Sequence, residues 1–327
     1  MHTLDNLIKE AQELFQKESF LYEPQGLYEP IDYTLHLGGK RIRPVMLMAA
    51  HEMFGGKIED VFHAAIGIET FHNFTLLHDD LMDLSPLRRG NPTVYTKWNA
   101  NTAILSGDTM FNMAWEYFLK YPHAQLHSIL STFAQTAREV CEGQQYDMEF
   151  ETRDDVTIEE YMSMIRLKTA VLLAGALKIG ALYAQAPETD VQHLYNFGIN
   201  LGLAFQLQDD LLDAIGDSAI FGKPTGQDIR DNKKTFLILK AQQVAPTPQR
   251  TVLQQLFRQT SPDKELTEQK VGAVLKIYDE IDIYKLTEEE IALHFQRAYA
   301  ELDAISVSEE QKQPLRDLSY KLSGRKM

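Results

Sequence analysis

The sequence predicts an all-α protein that forms one large domain. Apolar residues recur at three- and four-residue spacing in one segment after another, whereas the alternating pattern of a strand is nearly absent. Short breaks rich in Gly, Pro or Asp separate these segments. A chain of 327 residues with 44% hydrophobic residues is able to bury a sizeable core. Because no low-complexity linker divides it, we expect a single all-helical domain over residues 1–327.

The helices follow from these breaks in order. The stretch "LDNLIKEAQELF" is amphipathic, Pro44 stands in the first turn of the third helix, and an apolar run ending in aspartates forms the fourth. Two further breaks, "QAPETD" and "VAPTPQ", separate later helices. The predicted helices cover residues 1–19, 28–37, 43–54, 59–83, 97–120, 124–149, 157–184, 188–215 and 232–244, and several more follow from 249 to 322.

Charge and cysteine usage exclude several classes of function. A formal net charge of −15 without a long basic run argues against nucleic acid and anionic membranes as partners. The single cysteine, Cys141, rules out an internal disulfide framework and fits a reducing compartment, and we interpret it as a small buried hydrophobe. No basic segment precedes an apolar one at the N-terminus, and the longest apolar run is interrupted by Lys178. We therefore expect a cytoplasmic protein without a membrane span.

Two acidic octads stand out, "LLHDDLMD" at residues 76–83 and "QLQDDLLD" at 206–213. In each, the first and last aspartates are four residues apart and share one helix face, while the middle one points about 100° away. A single motif of this kind is most often a solvated helix end. Two of them, with no Cys or His partner set, favour Mg²⁺, which takes one or two carboxylates and completes its shell with water and phosphate oxygens. The residues concerned are Asp79, Asp80 and Asp83, and Asp209, Asp210 and Asp213.

Cations accompany both acidic octads. "GGKRIRP" places three of them beside a glycine pair at a helix N-terminus, which predicts a diphosphate cradle, although an ordinary basic turn is the alternative. Others follow the first octad, lie mid-helix, or surround a Gly-rich loop. In a protein this acidic, such clustering of cations predicts an anionic ligand. The residues are Lys40, Arg41, Arg43, Arg88, Arg89, Lys168, Lys223, Lys233 and Lys234.

On these motifs the sequence resembles the trans-isoprenyl diphosphate synthases, the polyprenyl synthetase family. The matching stretches run in order from about residue 35 to 240. They are "GGKRIRP", "LLHDDLMDLSPLRRGNPT", "GQQYD", "KTA", "FQLQDDLLD" and "FGKPTGQDIRDNKKT". The resemblance implies a helical bundle around a deep cavity, commonly a homodimer, with the acidic motifs facing each other at its mouth. It also implies the family's substrates, isopentenyl diphosphate and an allylic diphosphate, which is dimethylallyl, geranyl or farnesyl diphosphate.

The resemblance assigns roles to individual residues. Mg²⁺, with three ions per site, would be held by Asp79, Asp83, Asp209 and Asp213, with Asp210 in support. Isopentenyl diphosphate would be held by Lys40, Arg43, His72 and Arg89. The allylic diphosphate would be contacted by Arg88, Lys168, Gln206 and Lys223, with Thr169 and Lys233 lining its side and Gln144 and Asp147 in the cavity wall. The residues taken as catalytic are Asp79, Asp83, Arg88, Lys168, Asp209 and Lys223.

The chemistry that the resemblance implies requires no protein nucleophile. Mg²⁺ and cationic side chains stabilise the departing diphosphate, so the allylic C–O bond ionises. The double bond of isopentenyl diphosphate attacks the carbocation, and a proton is then lost to the released diphosphate. Water must be excluded, and the apolar helices behind the aspartates are expected to supply a dry pocket.

Two positions are expected to set product length. In the family an aromatic residue at the fifth position before the first acidic motif blocks the tunnel, and here that residue is Phe74. Thr75, one turn from Asp79, is small. One helical turn rises about 5.4 Å, close to one extended isoprene unit, so moving the floor by a turn changes the product by one unit. The pattern favours a product of fifteen to twenty carbons, leaning to geranylgeranyl diphosphate.

Alternatives stay open from the sequence. On composition alone His72 and His78 are packed core histidines, and the family pattern makes only His72 a ligand contact. A class I terpene cyclase shares the ionisation step but does not need a second diphosphate cradle. A non-catalytic subunit of a heteromeric synthase would usually have lost an acidic motif, and this chain retains both. A di-iron bundle would need Glu-x-x-His pairs at suitable places.

Overall fold

The computed structural model describes residues 1–216 and 225–324 and confirms the all-α class. Its first helices are α1 (Leu4–Lys17), α2 (Gln25–His36), α3 (Ile42–Met53), α4 (Phe62–Met82), α5 (Val94–Lys97), α6 (Ala100–Leu119), α7 (Leu126–Thr152) and α8 (Ile158–Ile165). The later ones are α9 (Val171–Tyr183), α10 (Glu188–Ile215), α11 (Gln227–Arg230), α12 (Phe236–Val244), α13 (Thr247–Leu256), α14 (Lys264–Glu280), α15 (Ile283–Ala304) and α16 (Glu309–Ser323).

Most predicted boundaries hold within a few residues, and three differ for physical reasons. A 3₁₀ turn at Ile58–Val61 precedes α4. The predicted helix 97–120 begins later, because the Asn99 side chain accepts a hydrogen bond from the Thr102 N–H and caps α6. The predicted helix 157–184 contains a π turn at Arg166–Ala170. A hairpin of two-residue strands, β1 (Leu87–Arg88) and β2 (Asn91–Pro92), is too short to show a strand pattern.

One expectation about burial is wrong. Cys141 is exposed on α7, whereas its neighbour Val140 is buried. Successive residues of an α-helix lie about 100° apart around its axis, so Cys141 falls outside the apolar stripe that includes Val140 and lies on the outer face.

The chain forms two compact units. The first comprises residues 1–135, 175–195 and 304–318. In it, α4 packs along α6 and α3, and α2 packs on α6. Its core includes Phe15, Ile31, Leu35, Ile66 and Met110.

The second unit comprises residues 136–174, 196–303 and the chain from 319 onward. Here α12 packs on α8 and α13, and α11 packs on α14. Four consecutive residues of α12, Phe236 to Leu239, are buried, so this short helix is held by its apolar contacts on more than one side.

No helix within the described parts of the chain has the length and apolar character to cross a membrane. The expectation of one domain over residues 1–327 stays a prediction.

Candidate active site

The glycine pair of "GGKRIRP" makes room for an arginine of the first unit. Gly38 and Gly39 have φ values of +80° and +137°, which residues with side chains rarely adopt. The Arg89 guanidinium donates a hydrogen bond to the Gly38 carbonyl, and a Cβ on Gly39 would lie 2.8 Å from Arg89 Nη2. The glycine turn and Arg89, the second arginine after the first acidic motif, are therefore packed against each other.

Arg41, which the sequence groups with the anion-binding cations, is a structural residue. Its side chain is 3% exposed, donates to Glu69 Oε1 at 2.9 Å and to the Leu35 carbonyl, and lies 4.2 Å from the centre of the Phe15 ring. Arg41 also takes a left-handed conformation, φ +48°, at the N-terminus of α3. Its guanidinium is therefore held by contacts inside the protein.

Arg43, Arg89 and His72 influence one another's charge in the same unit. Burial lowers the pKa of Arg43 to about 10, and its buried Nε donates to no group of the described residues. Burial, followed by the charges of Arg43 and Arg89, holds the pKa of His72 well below its usual range, so the imidazole is neutral at pH 7. Lys40 is exposed beside them in sequence. A negatively charged ligand would relieve this concentration of positive charge.

The first acidic motif divides its carboxylates between solvent and an ion pair. Asp79 is half-buried in the last turn of α4, and Asp83 is exposed at the residue that ends the helix. Asp80 is buried and faces Arg88, whose Nε lies 2.8 Å from both of its carboxylate oxygens. Burial raises the pKa of Asp80, and the Arg88 guanidinium opposes that rise. Arg88 also reaches Asp79 at 3.6 Å, which places a cation beside the carboxylates predicted to bind Mg²⁺.

An aromatic cluster lies upstream of this motif. The rings of Phe74 and Phe111 are stacked, with centroids 5.3 Å apart and planes 19° apart. Phe71, Trp115 and Phe133 extend the cluster through ring contacts of 4.7–5.7 Å. Phe74 is thus backed by a second aromatic ring on α6.

Two smaller side chains of α4 have local partners. The Thr75 hydroxyl donates to the His72 carbonyl at 2.7 Å, a hydrogen bond inside the helix. The His78 ring contacts Phe74, with centroids 4.8 Å apart, and its Nε2 lies 3.2 Å from the Ile104 carbonyl of α6. His78 is therefore a packing residue.

The π turn of the second unit carries Lys168 and Thr169. Two glycines, Gly143 and Gly202, lie against this turn, and a side chain at either position would overlap its backbone. A Cβ on Gly143 would lie 2.3 Å from the Lys168 backbone nitrogen, and one on Gly202 would lie 2.5 Å from Ala170 Cα. Gly143 is the glycine of "GQQYD", so the close approach of α7 explains why a glycine opens that motif.

Asp147, the aspartate of the same motif, lies between two lysines. Lys168 Nζ is 2.7 Å and Lys233 Nζ is 3.9 Å from its Oδ2. Gln144 is half-buried one turn away on α7. The Asp147 carboxylate therefore holds two ammonium groups in one region of the second unit.

The second acidic motif gives its three aspartates different surroundings. Asp209 is exposed, whereas Asp210 is buried and accepts hydrogen bonds from the Tyr161 hydroxyl and from Gln206 Nε2. Burial raises the pKa of Asp210 to about 7, although these two hydrogen bonds act to lower it. Asp213 caps α11, because its oxygens accept the backbone N–H groups of Gln227 and Asp228 at 3.2 and 3.0 Å.

These groups line a cavity of about 310 Å³ in the second unit. It brings together the predicted residues Asp147, Lys168, Thr169, Gln206, Asp209, Asp213 and Lys233. The predicted Lys223 lies outside the described residues. The other predicted residues, Lys40, Arg43, His72, Phe74, Thr75, Asp79, Asp83, Arg88 and Arg89, belong to the first unit.

Sequence reasoning missed two titratable residues that line this cavity, Tyr161 and Asp228. Tyr161 is buried and lies seven residues, or two helical turns, before Lys168, a spacing that places both on one helix face. Asp228 lies inside the quoted "GQDIRD" stretch, and burial with the charges of Asp210 and Asp213 raises its pKa well above the usual range. Helical spacing was the available signal for Tyr161.

Comparison with known proteins agrees with this arrangement. The family model described as "Polyprenyl synthetase" matches residues 24–274. A geranylgeranyl diphosphate synthase of Methanosarcina mazei is 40% identical over 220 residues, which are 67% of this chain and 68% of that protein. A geranylfarnesyl diphosphate synthase of Natronomonas pharaonis is 41% identical over 237 residues, 67% of this chain and 70% of that protein.

The fold matches a solved structure over its whole length. A crystal structure of a geranylgeranyl pyrophosphate synthase shares 44% sequence identity, with a TM-score of 0.95 and full coverage of both chains. This confirms the helical isoprenoid synthase fold that the family resemblance implies. The family model and the relatives agree on one assignment, and the chain belongs to the polyprenyl synthetase family.

Proposed function

We propose that the chain is a trans-prenyltransferase that condenses isopentenyl diphosphate with dimethylallyl, geranyl or farnesyl diphosphate into a short all-trans prenyl diphosphate. The product has fifteen to twenty carbons, leaning to the twenty-carbon geranylgeranyl diphosphate. The observation that carries the proposal is that each acidic motif has its own cations, Arg88 beside Asp79 and Lys168 in the cavity with Asp209. Family membership and the names of the relatives support the reaction class.

Isopentenyl diphosphate is assigned to the basic residues around Arg43. Lys40, Arg43 and Arg89 would bind its diphosphate oxygens, and neutral His72 would add a hydrogen bond without adding charge. The supporting observation is the buried Arg43 Nε, which donates to no group of the described residues. A buried guanidinium donor without an acceptor is costly, so a diphosphate oxygen would stabilise it.

The allylic diphosphate is assigned to Arg88, Lys168, Thr169, Gln206, Lys223 and Lys233. Among the described members of this set, Lys168 and Lys233 both lie near the Asp147 carboxylate. The Thr169 hydroxyl donates a hydrogen bond to the side-chain oxygen of Gln206 at 3.0 Å. These contacts hold the donors in place before a ligand arrives.

Mg²⁺ serves diphosphate binding in this family, and the residues present fit it. Asp79, Asp83, Asp209 and Asp213 offer hard oxygen donors, and we propose three ions per site. No three His, Cys, Asp or Glu side chains within residues 1–216 and 225–324 are arranged to hold a metal by themselves. In proteins Mg²⁺ usually takes one or two carboxylates and completes its shell with water and phosphate oxygens. Bound there, Mg²⁺ would stabilise the negative charge of the departing diphosphate.

The chain's own residues would do the remaining work. Arg88 and Lys168 would stabilise the leaving diphosphate by charge-assisted hydrogen bonds, and the aromatic cluster around Phe74 would keep water from the carbocation. The double bond of isopentenyl diphosphate then forms the new C–C bond, and the released diphosphate takes the proton that restores a double bond.

Purified protein with Mg²⁺, isopentenyl diphosphate and radiolabelled farnesyl diphosphate tests the proposal. We expect a twenty-carbon diphosphate as the main product. A cyclic hydrocarbon would indicate a terpene cyclase, and no turnover with any allylic primer would indicate a non-catalytic subunit. A twenty-five-carbon product would move the assignment toward the Natronomonas relative.

Asp79→Ala and Asp108→Ala form a matched pair for this assay. Both remove an aspartate from the first unit, but Asp108 is exposed on α6 and does not belong to the acidic motif. We expect Asp79→Ala to abolish turnover without unfolding, since the 3.6 Å ion pair with Arg88 that it removes is offset by the relief of carboxylate repulsion at a helix end, roughly 0.3–1 kcal/mol. Asp108→Ala should retain wild-type turnover.

A homodimer in the cytoplasm completes the proposal. The family resemblance supports the dimer, and the single cysteine supports a reducing compartment. Light scattering of the purified protein would give the mass of the assembly, and a mass near 37.4 kDa would contradict the dimer.

A further inference from the structure

Tyr161 and Asp210 form a buried hydrogen-bonded pair beside the second acidic motif. Tyr161 is 2% exposed and Asp210 is 7% exposed. The Tyr161 hydroxyl donates to Asp210 Oδ2, and Gln206 Nε2 donates to Asp210 Oδ1 at 3.0 Å. Each oxygen of this carboxylate thus has its own donor, which fixes the rotation of the Asp210 side chain.

The same network continues to the π turn. Thr169 Oγ1 donates to Gln206 Oε1 at 3.0 Å, while the amide nitrogen of Gln206 is held by Asp210. Rotating the Gln206 amide by half a turn would turn its oxygen toward the Asp210 carboxylate, which only accepts, whereas the Thr169 hydroxyl is able to donate or accept; Asp210 therefore fixes the orientation of the amide. The order of donors therefore runs in one direction, from Thr169 through Gln206 to Asp210.

We propose that Tyr161 is a positioning residue that orients the donors assigned to the allylic diphosphate. It acts through Asp210, which holds Gln206, which in turn holds Thr169. Tyr161 belongs to α8, Asp210 and Gln206 to α10, and Thr169 to the π turn, so one hydroxyl ties together three elements of the cavity wall. This inference rests on the proposed function, since that function assigns Gln206 and Thr169 to the diphosphate.

Removing the hydroxyl alone isolates the effect. Tyr161→Phe leaves one oxygen of the buried Asp210 side chain without its donor, so the rotation of this side chain is no longer fixed from both sides. Movement of Asp210 would in turn disorder Gln206 and Thr169, the donors assigned to the diphosphate. Partners that orient metal-binding groups typically contribute about ten- to a hundredfold in affinity.

Calorimetric titration with Mg²⁺ and inorganic diphosphate measures this without requiring turnover. We expect Tyr161→Phe to weaken binding roughly tenfold, equal to about 1.4 kcal/mol. The KM for the allylic diphosphate should rise by a similar factor, while the KM for isopentenyl diphosphate stays unchanged. Tyr183→Phe is the control, because it removes a buried hydroxyl that hydrogen-bonds to His63 in the first unit, and it should bind like wild type.

A double-mutant cycle with Asp210→Asn tests the route of the effect. If Tyr161 acts through Asp210, the double variant binds no more weakly than the weaker single variant. Additive losses, or Tyr161→Phe binding within twofold of wild type, would overturn the inference. Should Tyr161→Phe fail to fold, Asp210→Asn alone decides, since wild-type affinity in that variant would contradict the network. If the wild-type protein binds diphosphate yet forms no prenyl product, the proposed function fails. The difference in diphosphate affinity between wild type and Tyr161→Phe still tests the role of Tyr161 in that case.

Discussion

The Arg88 guanidinium lies across the Asp80 carboxylate, with Nε 2.8 Å from both oxygens and Nη2 2.7 Å from one of them. The middle aspartate of the first acidic motif therefore orients an arginine. The other two aspartates of the motif lie at the helix end, where Asp79 is half-buried and Asp83 is exposed.

Asp80→Asn tests this role. The amide keeps the size of the carboxylate but holds Arg88 less firmly, since hydrogen bonds to charged groups are worth about 1.5–3 kcal/mol. We expect the KM for the allylic diphosphate to rise about tenfold. Steady-state kinetics with both substrates checks the prediction, and an unchanged KM would show that Arg88 is oriented by other contacts.

Product length should depend on two stacked rings. Phe74→Ala should lengthen the product, but by no more than about one isoprene unit, because Phe111 stands directly behind Phe74. Phe74→Ala with Phe111→Ala should lengthen it further. Chromatography of the dephosphorylated products measures both. Phe20→Leu, which alters a fully buried ring outside the cluster, should leave the product distribution unchanged.

Thr75→Phe should act in the opposite direction. A second aromatic side chain next to Phe74 narrows the space behind Asp79, so we expect the fifteen-carbon product to replace the twenty-carbon one. Thr75→Val is its control, since it removes the hydroxyl with little change in volume. If the valine variant also shortens the product, the hydrogen bond to the His72 carbonyl, and not the space, controls length.

Gly143→Ala should damage the site, and Gly272→Ala should not. An added Cβ at Gly143 would overlap the backbone of the π turn, 2.3 Å from the Lys168 nitrogen, whereas nothing lies within 4 Å of one at Gly272. We expect a loss of about 1–3 kcal/mol of unfolding free energy and weaker allylic binding for Gly143→Ala. Gly272→Ala, in the interior of α14, should gain roughly 0.5–1 kcal/mol. Denaturant unfolding compares the pair, and equal stabilities would refute the close contact.

Acid stability should depend on His63. Burial lowers its pKa to about 4, below the unfolded value of about 6.5, and its Nε2 lies 3.3 Å from the Tyr183 hydroxyl. As the pH falls, the His63 imidazole is therefore protonated in the unfolded chain before it is protonated in the folded chain. The free energy of unfolding consequently falls as the pH drops below about 6.5. We expect the fall in Tm between pH 7 and pH 5 to be smaller in His63→Gln. His127→Gln, at an exposed position, should show the wild-type fall.

Local periodicity was enough to predict the helices and both acidic motifs, because amphipathic spacing and carboxylate spacing are properties of neighbouring residues. It could not separate Arg41 from Arg43. Their difference comes from Glu69, 28 positions along the chain from Arg41, and from a left-handed backbone at Arg41. The hydrogen bond from Tyr161 to Asp210 also joins residues 49 apart. The roles of the predicted site residues stay predictions until the variants are measured.

The π turn at Arg166–Ala170 gives the chain a spare residue at the point where Lys168 and Thr169 emerge. A wide turn holds one more residue than an α-helical turn, so deleting Leu167 would leave a regular helix of nearly the same length. That helix would fit between its neighbours, and the segments before and after the deletion would keep their relative orientation, because the wide turn already accommodates the extra residue. Helical content would survive such a deletion, while Lys168 and Thr169 would lose the widened turn that carries them.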